Sequence, residues 1–268
     1  MQNISFGGME TKALFALEER ETGIITFEQL AKSLKLTPMQ AWGLTSRLVR
    51  KHRLIRLKRG TYLFAPMKSG PKGEWTDDSQ AAVETLMGGK DYYVSFWLAL
   101  NHYGLTEQIP LVMQIVTKKQ QRNFEALQTR FEFVAVRHFG EWRVEKIRDK
   151  TFRIATMEQL IIDCLSMPDK CGGVVNASQA IWTAQDKLDW DKLEALASKT
   201  SEAVRRRLGY ICDVLKLQGM KHGLKPGKIV GWRWLDHSRG NKEKTIKSKK
   251  WGLWLNVSDK VLVQWMWS

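Results

Sequence analysis

Two helix starts placed close together constrain the fold more than any other feature of this sequence. Thr26 and Thr37 are each followed three residues later by a glutamine, which is the pattern of a capping box, in which two side chains satisfy free amides at a helix N-terminus. Pro38 follows the second threonine, in the first helical position, where its missing N–H is tolerated. Because the two starts lie only eleven residues apart, the first helix, about 27–34, must be short. This spacing predicts a helix-turn-helix.

The second of these helices divides into a packing side and a polar side. Ala41, Leu44 and Leu48 recur at helical spacing and predict the side that packs. The polar side recurs at steps of three and four residues and comprises Gln40, Gly43, Arg47 and Arg50. Arginine and glutamine side chains are donors that read base edges in the major groove of DNA. The division is therefore the one that a recognition helix needs.

Two short apolar runs after this helix, 54–57 and 62–64, predict a β-wing whose turn contains Gly60. From Arg47 to Arg59 the sequence holds seven basic residues and no acidic one, so we expect helix and wing to share one electropositive surface. The alternative is a solvated basic face on a small helical domain. The predicted contacts with DNA are Thr37, Gln40, Gly43, Arg47, Arg50, Lys51, Arg53, Arg56, Lys58 and Arg59.

The charge of the chain is unevenly distributed. The net charge is +15, but residues 1–73 carry 13 basic and 5 acidic residues, residues 74–218 carry 19 and 20, and residues 219–268 carry 11 and 3. Basic ends of this kind indicate an anionic partner such as nucleic acid. A Pro-, Gly- and Ser-rich stretch follows the wing and predicts a linker. We therefore expect a winged helix-turn-helix domain at 1–66, a linker at 67–75 and a larger domain at 76–268.

The larger domain alternates helical segments with apolar strands at 111–117, 131–136 and 152–155. This arrangement predicts a mixed α/β domain and, for the whole chain, the α+β class. Helix caps are expected at Ser95, Thr156, Asn176 and Asp189. The three cysteines lack a paired spacing and predict buried free thiols in the cytoplasm. The sequence contains neither a signal peptide nor a run of apolar residues long enough to cross a membrane.

The same segment contains candidate catalytic residues. Glu158 and Asp163 lie five residues apart on a predicted helix, so they point in different directions and are poorly placed to share a metal ion. Lys118 follows a strand as the lysine of a metal-dependent nuclease does, but Gln114 stands where an acidic ligand is needed. No nucleophile–base arrangement or phosphate-binding loop is present. We therefore predict no catalytic residue, no metal site and no cofactor.

The C-terminal region combines tryptophan with basic residues. Six of the twelve tryptophans fall between Trp232 and Trp267. Alternating apolar residues on either side of 258–260 predict an antiparallel hairpin with one aromatic face. We expect these rings to form core; the alternative is that they stack on single-stranded bases. A possible second basic surface, expected on a solvated loop, comprises Arg239, Lys242, Lys244, Lys247, Lys249 and Lys250.

Several motifs of the larger domain resemble those of one known family. The segments are 93–110, from Tyr93 to Pro110, and 155–165, followed by Pro168 and the glycine pair 172–173. The shorter motifs are Arg207-Leu208-Gly209-Tyr210, Trp234-Leu235-Asp236 and Trp251-Gly252-Leu253. Together they resemble the AbiEi family of antitoxins from type IV toxin–antitoxin systems, and with the winged helix the resemblance covers nearly the whole chain. The chain is richer in tryptophan than the family pattern.

The resemblance implies a bacterial or archaeal antitoxin without an enzymatic activity of its own. Such a protein represses its own operon by binding double-stranded DNA at its promoter, and its C-terminal domain counteracts a nucleotidyltransferase toxin without needing a stable complex. Two other hypotheses remain: a transcription regulator whose large domain senses a ligand, and a nuclease that the winged helix directs to DNA.

Overall fold

The structure of the protein is a computed structural model that describes residues 5–19, 23–67, 83–84, 86–87, 90–126, 129–147, 150–217, 224–225, 229–239 and 246–267. The predicted α+β class is confirmed, with a winged helix-turn-helix unit followed by a larger domain. The helices are α1 (Gly8–Glu18), α2 (Phe27–Ser33), α3 (Pro38–Arg50), α4 (Phe96–His102), α5 (Met157–Ser166), α6 (Val174–Ala184), α7 (Trp190–Lys199), α8 (Glu202–Leu215) and α9 (Asp259–Leu262).

The strands form three sheets. Strands β1 (Ile24–Thr26), β2 (Leu54–Lys58) and β3 (Thr61–Phe64) make the sheet of the wing, in the order β1-β3-β2. The large sheet has the order β6-β7-β5-β4-β9-β8 and contains β4 (Tyr92–Ser95), β5 (Val112–Thr117), β6 (Phe124–Ala126), β7 (Thr129–Ala135), β8 (Trp142–Ile147) and β9 (Lys150–Ala155). The third sheet, β10-β12-β11, contains β10 (Arg233–Trp234), β11 (Ile246–Ser248) and β12 (Leu253–Leu255).

Both capping boxes of the helix-turn-helix are confirmed. The Thr26 Oγ1 accepts a hydrogen bond from the amide of Gln29, whose side chain accepts one from the Thr26 amide. Thr37 and Gln40 make the same reciprocal pair at the start of α3. Lys35, with φ of 52°, occupies the turn between the helices. The sequence signals did not predict α1, which packs against α3.

The sheet of the wing is buried on both faces. Ile25, Leu54 and Phe64 belong to the core of the N-terminal unit, together with leucines of α1, α2 and α3. Ile24 and Leu63 are instead buried in the core of the larger domain, because adjacent residues of a strand point to opposite sides of a sheet. The wing is therefore packed between its own helices and the larger domain. Of the predicted linker, only Met67 is within the described residues.

The larger domain encloses its main core between the six-stranded sheet and helices α4 to α8. The sheet is mixed, since β4 pairs in parallel with β9 and β5 pairs in parallel with β7. The caps at Thr156 and Asp189 are confirmed by hydrogen bonds from the amides of Gln159 and Lys192. Ser95 precedes α4, but its hydroxyl does not cap the helix. Asn176 lies inside α6, which Gly173 caps, so that predicted cap is wrong.

The C-terminal region contains an antiparallel hairpin, but not from the expected strands. Residues of β11 and β12 pair, with Lys247 opposite Trp254, whereas the segment after 258 is helical. The Ser258 hydroxyl accepts a hydrogen bond from the amide of Val261 and begins α9. A 3-10 turn, Gln264–Trp267, follows. The predicted strand at 261–267 is therefore wrong, because a local helix cap outweighs the apolar alternation.

Candidate nucleic-acid interface

The exposed side of α3 includes polar residues that the sequence pattern predicted and two apolar residues that it did not. Gln40, Arg47 and Arg50 are exposed, and Gly43 is half-buried. Thr37 is also exposed, but its hydroxyl is engaged in capping the helix. The N-terminal part of the exposed side carries Met39 and Trp42, which are 84% and 68% exposed. The pattern of a recognition helix concerns polar side chains, so it did not indicate Met39 or Trp42. Both residues nevertheless stand at helical spacing from Arg50.

Two of the predicted contacts are held by an acidic residue of α1. The Glu10 carboxylate accepts hydrogen bonds from the Arg47 Nε at 3.0 Å and from the Lys51 Nζ at 2.5 Å. Burial disfavours the ionised form of Glu10, but these two cations and the Gly7 amide outweigh that effect, and the pKa of Glu10 is lowered. The side chain of Arg47 is still 48% exposed. Glu10 therefore fixes the position of Arg47 beside the exposed side of α3 and removes part of the local positive charge.

Arg53 requires a correction to the predicted surface. Its side chain is buried, 2% exposed, and its Nη1 donates hydrogen bonds to the carbonyl oxygens of Ala65 and Pro66. Burial lowers the pKa of Arg53, and the charge of Glu18 partly opposes that shift. Arg53 therefore holds the chain that leaves β3, and it is not part of the exposed basic surface.

The wing turn is tied to the helix-turn-helix. Gly60 has a φ of 72°, which glycine adopts without steric cost, and its carbonyl accepts a hydrogen bond from the Phe27 amide at 2.8 Å. Arg56 and Arg59 are exposed, and a bulge separates Arg56 from Lys58 on β2. The wing thus presents arginines from a backbone that is fixed relative to the start of α2.

The second basic surface is only partly described. Lys242 and Lys244 lie outside the described residues. Arg239 is 3.9 Å from Asp236, and Lys250 forms an ion pair with Asp213 at 2.6 Å. Lys249 is exposed. Lys247 lies over the rings of Trp254 and Trp232, at 4.3 Å and 5.4 Å from their centroids, so this lysine stabilises an aromatic cluster.

The C-terminal tryptophans differ in their environments. Trp251 is buried, Trp265 packs against Trp182, and Trp267 is 85% exposed. The rings of Trp232, Trp234 and Trp254 are half-buried and contact one another. The expectation that the rings form core is thus correct for Trp251, partly correct for the half-buried rings and wrong for Trp267.

The larger domain buries the acidic residue that a nuclease would need. The Asp163 carboxylate accepts hydrogen bonds from the Ser95 hydroxyl at 2.7 Å and from the Gln159 Nε2 at 2.8 Å. The Tyr93 hydroxyl lies 3.4 Å away. Burial raises the pKa of Asp163 to about 6, although the hydrogen bonds oppose the shift. Among the described residues, no group of three or more His, Cys, Asp or Glu side chains is arranged to hold a metal ion.

The motifs in the last third of the chain meet in one contact network. The guanidinium of Arg207 donates hydrogen bonds to the carbonyl oxygens of Leu165 and Trp234. Burial lowers the pKa of Arg207 to about 10, with Asp236 acting in the opposite direction. The Asp236 carboxylate accepts a hydrogen bond from the Val174 amide at the start of α6. These motif residues therefore connect α5, α6, α8 and β10, and their polar atoms are engaged within the fold.

One open cleft lies at the end of β5, away from this network. Its volume is about 620 Å³, and it is lined by Lys90, Asp91, Thr117, Lys118, Lys119, Gln120 and Gln121. Lys118 forms an ion pair with Asp91 at 2.5 Å. The lining offers lysine ammonium groups to an anionic molecule, while the Asp91 carboxylate pairs with Lys118 and the Gln120 side chain donates hydrogen bonds within the fold.

The helix-turn-helix, its exposed basic wing and the larger α+β domain that follows define the fold class as a winged-helix protein. Residues 12–65 match the family described as "Transcriptional regulator, AbiEi antitoxin". The match confirms the resemblance to AbiEi antitoxins within the N-terminal unit. No curated protein sequence matches the chain.

A solved structure resembles the fold over the whole chain. The crystal structure of the RV2827C protein from Mycobacterium tuberculosis is similar with a TM-score of 0.68, over 99% of this chain and 97% of that one, at 14% sequence identity. This likeness shows a shared fold. No helix within the described ranges is long and apolar enough to cross a membrane.

Proposed function

We propose that the protein represses transcription of its own operon by binding double-stranded DNA at the promoter. The observation that carries the proposal is the set of exposed arginines on two parts of the winged helix-turn-helix unit, Arg47 and Arg50 on α3 and Arg56 and Arg59 on the wing. Helix α3 would lie in the major groove, where Arg and Gln side chains read base edges. The wing arginines would neutralise phosphates, which fixes position but carries no sequence information.

We expect the variants of these two groups to behave differently. Arg50→Ala should reduce discrimination between the preferred duplex and a scrambled one, whereas Arg59→Ala should weaken binding to both equally. Affinity of the wild type should fall by about 0.9 log units per log unit of salt for each phosphate neutralised, and losing one such contact should reduce that slope by about one. Fluorescence anisotropy over a series of salt concentrations measures both quantities.

The control for this experiment is Lys187→Ala, which removes one exposed cation from the larger domain. Its affinity and salt dependence should equal those of the wild type. Equal losses in all three variants would show that total charge, and not the proposed surface, determines binding. A footprint of the upstream region without protection at low salt would contradict the repressor function.

The same proposal assigns to the larger domain the neutralisation of a nucleotidyltransferase toxin in a type IV, abortive-infection system that acts against phage in the cytoplasm. The support is the resemblance of the motifs together with the family match. An adjacent reading frame with a nucleotidyltransferase signature should arrest growth when expressed alone, and co-expression of the full-length protein should restore growth. Failure to restore growth would contradict the antitoxin function.

The cleft at the end of β5 favours a second candidate, a regulator that senses an anionic ligand without a toxin partner. Its lysines and glutamines line an open volume of about 620 Å³. The absence of a toxin gene beside this one would favour the sensor. The nuclease hypothesis lacks support, because its key carboxylate, Asp163, is only 5% exposed; plasmid cleavage with Mg²⁺ or Mn²⁺ that is lost in Asp163→Ala would restore it.

A further inference from the structure

The exposed side of α3 carries an apolar pair that the proposed contacts with DNA do not use. Trp42 and Met39 are 68% and 84% exposed, although tryptophan is a residue that proteins bury extensively. Other residues of the same helix, such as Leu44 and Leu48, are completely buried. The exposure of Trp42 is thus not a consequence of a poorly packed helix, since the opposite side of α3 forms the core of the N-terminal unit.

The apolar pair lies within the basic surface. Met39, Trp42, Ser46 and Arg50 follow one another at steps of three, four and four residues, which places them in one line along the helix. Gln40 and Arg47 flank this line, and both are exposed. Gly43, next to Trp42, carries no side chain that could hold another molecule away from the indole ring. An occupant of this side of α3 therefore meets cations and an apolar ring together.

Duplex DNA has both of the complementary features. Its major groove admits an α-helix, and base edges in that groove present acceptors that match the arginines at the C-terminal part of α3. Thymine presents a methyl group in that groove, and apolar side chains contact it in direct readout. A protein partner would have to be acidic and apolar at once. DNA needs no further assumption beyond the function proposed above.

We propose that Trp42 is a specificity-determining residue that reads thymine through van der Waals contact with the methyl group. The proposal rests on the proposed function, because it requires α3 to enter the major groove. Met39 borders the same contact at the N-terminal end of the line. The arginines then provide affinity and recognition of guanine. Trp42 adds a preference for thymine at the base pair that its ring faces.

Replacement of thymine by deoxyuridine tests this assignment, because it removes the methyl group and leaves base pairing intact. The preferred duplex is first selected from a random-sequence library, and its thymines are then replaced one at a time. For the wild type, one position should show a loss of about three- to five-fold in affinity, the effect of removing one buried methyl group. Trp42→Ala should bind the thymine and deoxyuridine duplexes equally, and Trp42→Phe should retain part of the difference.

Phe15→Ala is the matched control, since Phe15 is an aromatic residue of α1 that is 66% exposed; it should keep the full preference for thymine. If the wild type binds every deoxyuridine duplex as tightly as the parent, the assignment of Trp42 is overturned while DNA binding stands. If Trp42→Ala keeps the preference but loses self-association in sedimentation, the ring belongs to an interface between copies and the assignment is also overturned. Failure to bind any duplex at low salt would overturn the proposed function itself.

Discussion

Gly209→Ala is expected to lower the free energy of unfolding by about 1–3 kcal/mol, the usual cost of overpacking a core. Gly209 lies within α8, and an added Cβ would stand 2.0 Å from a ring carbon of Trp251. The ring cannot move outwards easily, because Trp251 is 3% exposed and its Nε1 donates a hydrogen bond to Asp213. Urea denaturation followed by circular dichroism measures the change.

Two further variants separate overpacking from other effects of alanine. Gly43→Ala makes the same substitution in α3, where the new Cβ would meet only the end of the Arg47 side chain at 3.4 Å; because alanine favours helix more than glycine does, it should be neutral or stabilising by up to about 1 kcal/mol. In the background of Trp251→Leu, which removes the obstructing ring, Gly209→Ala should cost much less than it does alone. Additive effects in this double-mutant cycle would contradict direct contact as the cause.

This contact explains one of the motifs on which the family resemblance rests. Gly209 and Trp251 are about forty residues apart in the chain, yet the glycine in one motif makes room for the tryptophan in another. Tyr210, beside the glycine, hydrogen-bonds to Asp259. These motif residues of the larger domain therefore determine how its helices and its third sheet pack together.

The sequence predicted best what is determined locally. A capping box is a reciprocal pair of hydrogen bonds within four residues, so Thr26 and Thr37 could be identified without knowledge of the rest of the chain. The same local chemistry explains the error near the C-terminus. The sequence pattern places Ser258 in a turn between strands, but in the structure its hydroxyl caps a helix. Strand β12 pairs with the preceding β11 instead.

Tertiary packing explains what the sequence could not predict on the proposed DNA-binding surface. Arg53 belongs to the same basic run as Arg50 and Arg56, and nothing in its spacing shows that its side chain turns inwards to the carbonyls of Ala65 and Pro66. The pairing of Glu10 with Arg47 and Lys51 joins segments about forty residues apart. Because the sequence signals do not predict α1, the pairing of Glu10 with these two cations could not be predicted either.

The sheet of the wing packs against both domains. An alternating strand predicts one buried and one solvated face, but in this wing both faces are covered, because Ile24 and Leu63 enter the core of the larger domain. The arginines of the wing turn are therefore positioned by the larger domain as well as by α2. The sheet of the wing thus contributes side chains to the cores of both domains.

Asp163→Asn is expected to gain stability relative to the wild type as the pH rises. The folded protein has an Asp163 pKa of about 6, raised by burial, whereas in the unfolded chain the group titrates near its ordinary value of about 4. Between these values the folded state binds more protons, so the wild type is favoured at low pH and loses this contribution as the pH rises through about 6. Asparagine stays neutral and does not incur the loss.

The difference in unfolding free energy between Asp163→Asn and the wild type should therefore shift by about 2 kcal/mol in favour of the variant from pH 4 to pH 8. Denaturation curves at intervals across that range measure it. Asp163→Ala serves as the control: it also lacks the titrating carboxyl, so its difference from the wild type should shift with pH by the same amount. A constant cost of about 1–3 kcal/mol is added to that shift, because the buried Ser95 hydroxyl and the Gln159 amide lose their acceptor. A difference between asparagine and aspartate that is constant with pH would mean that Asp163 is ionised to the same extent in both states, and that the surrounding donors fully compensate for its burial.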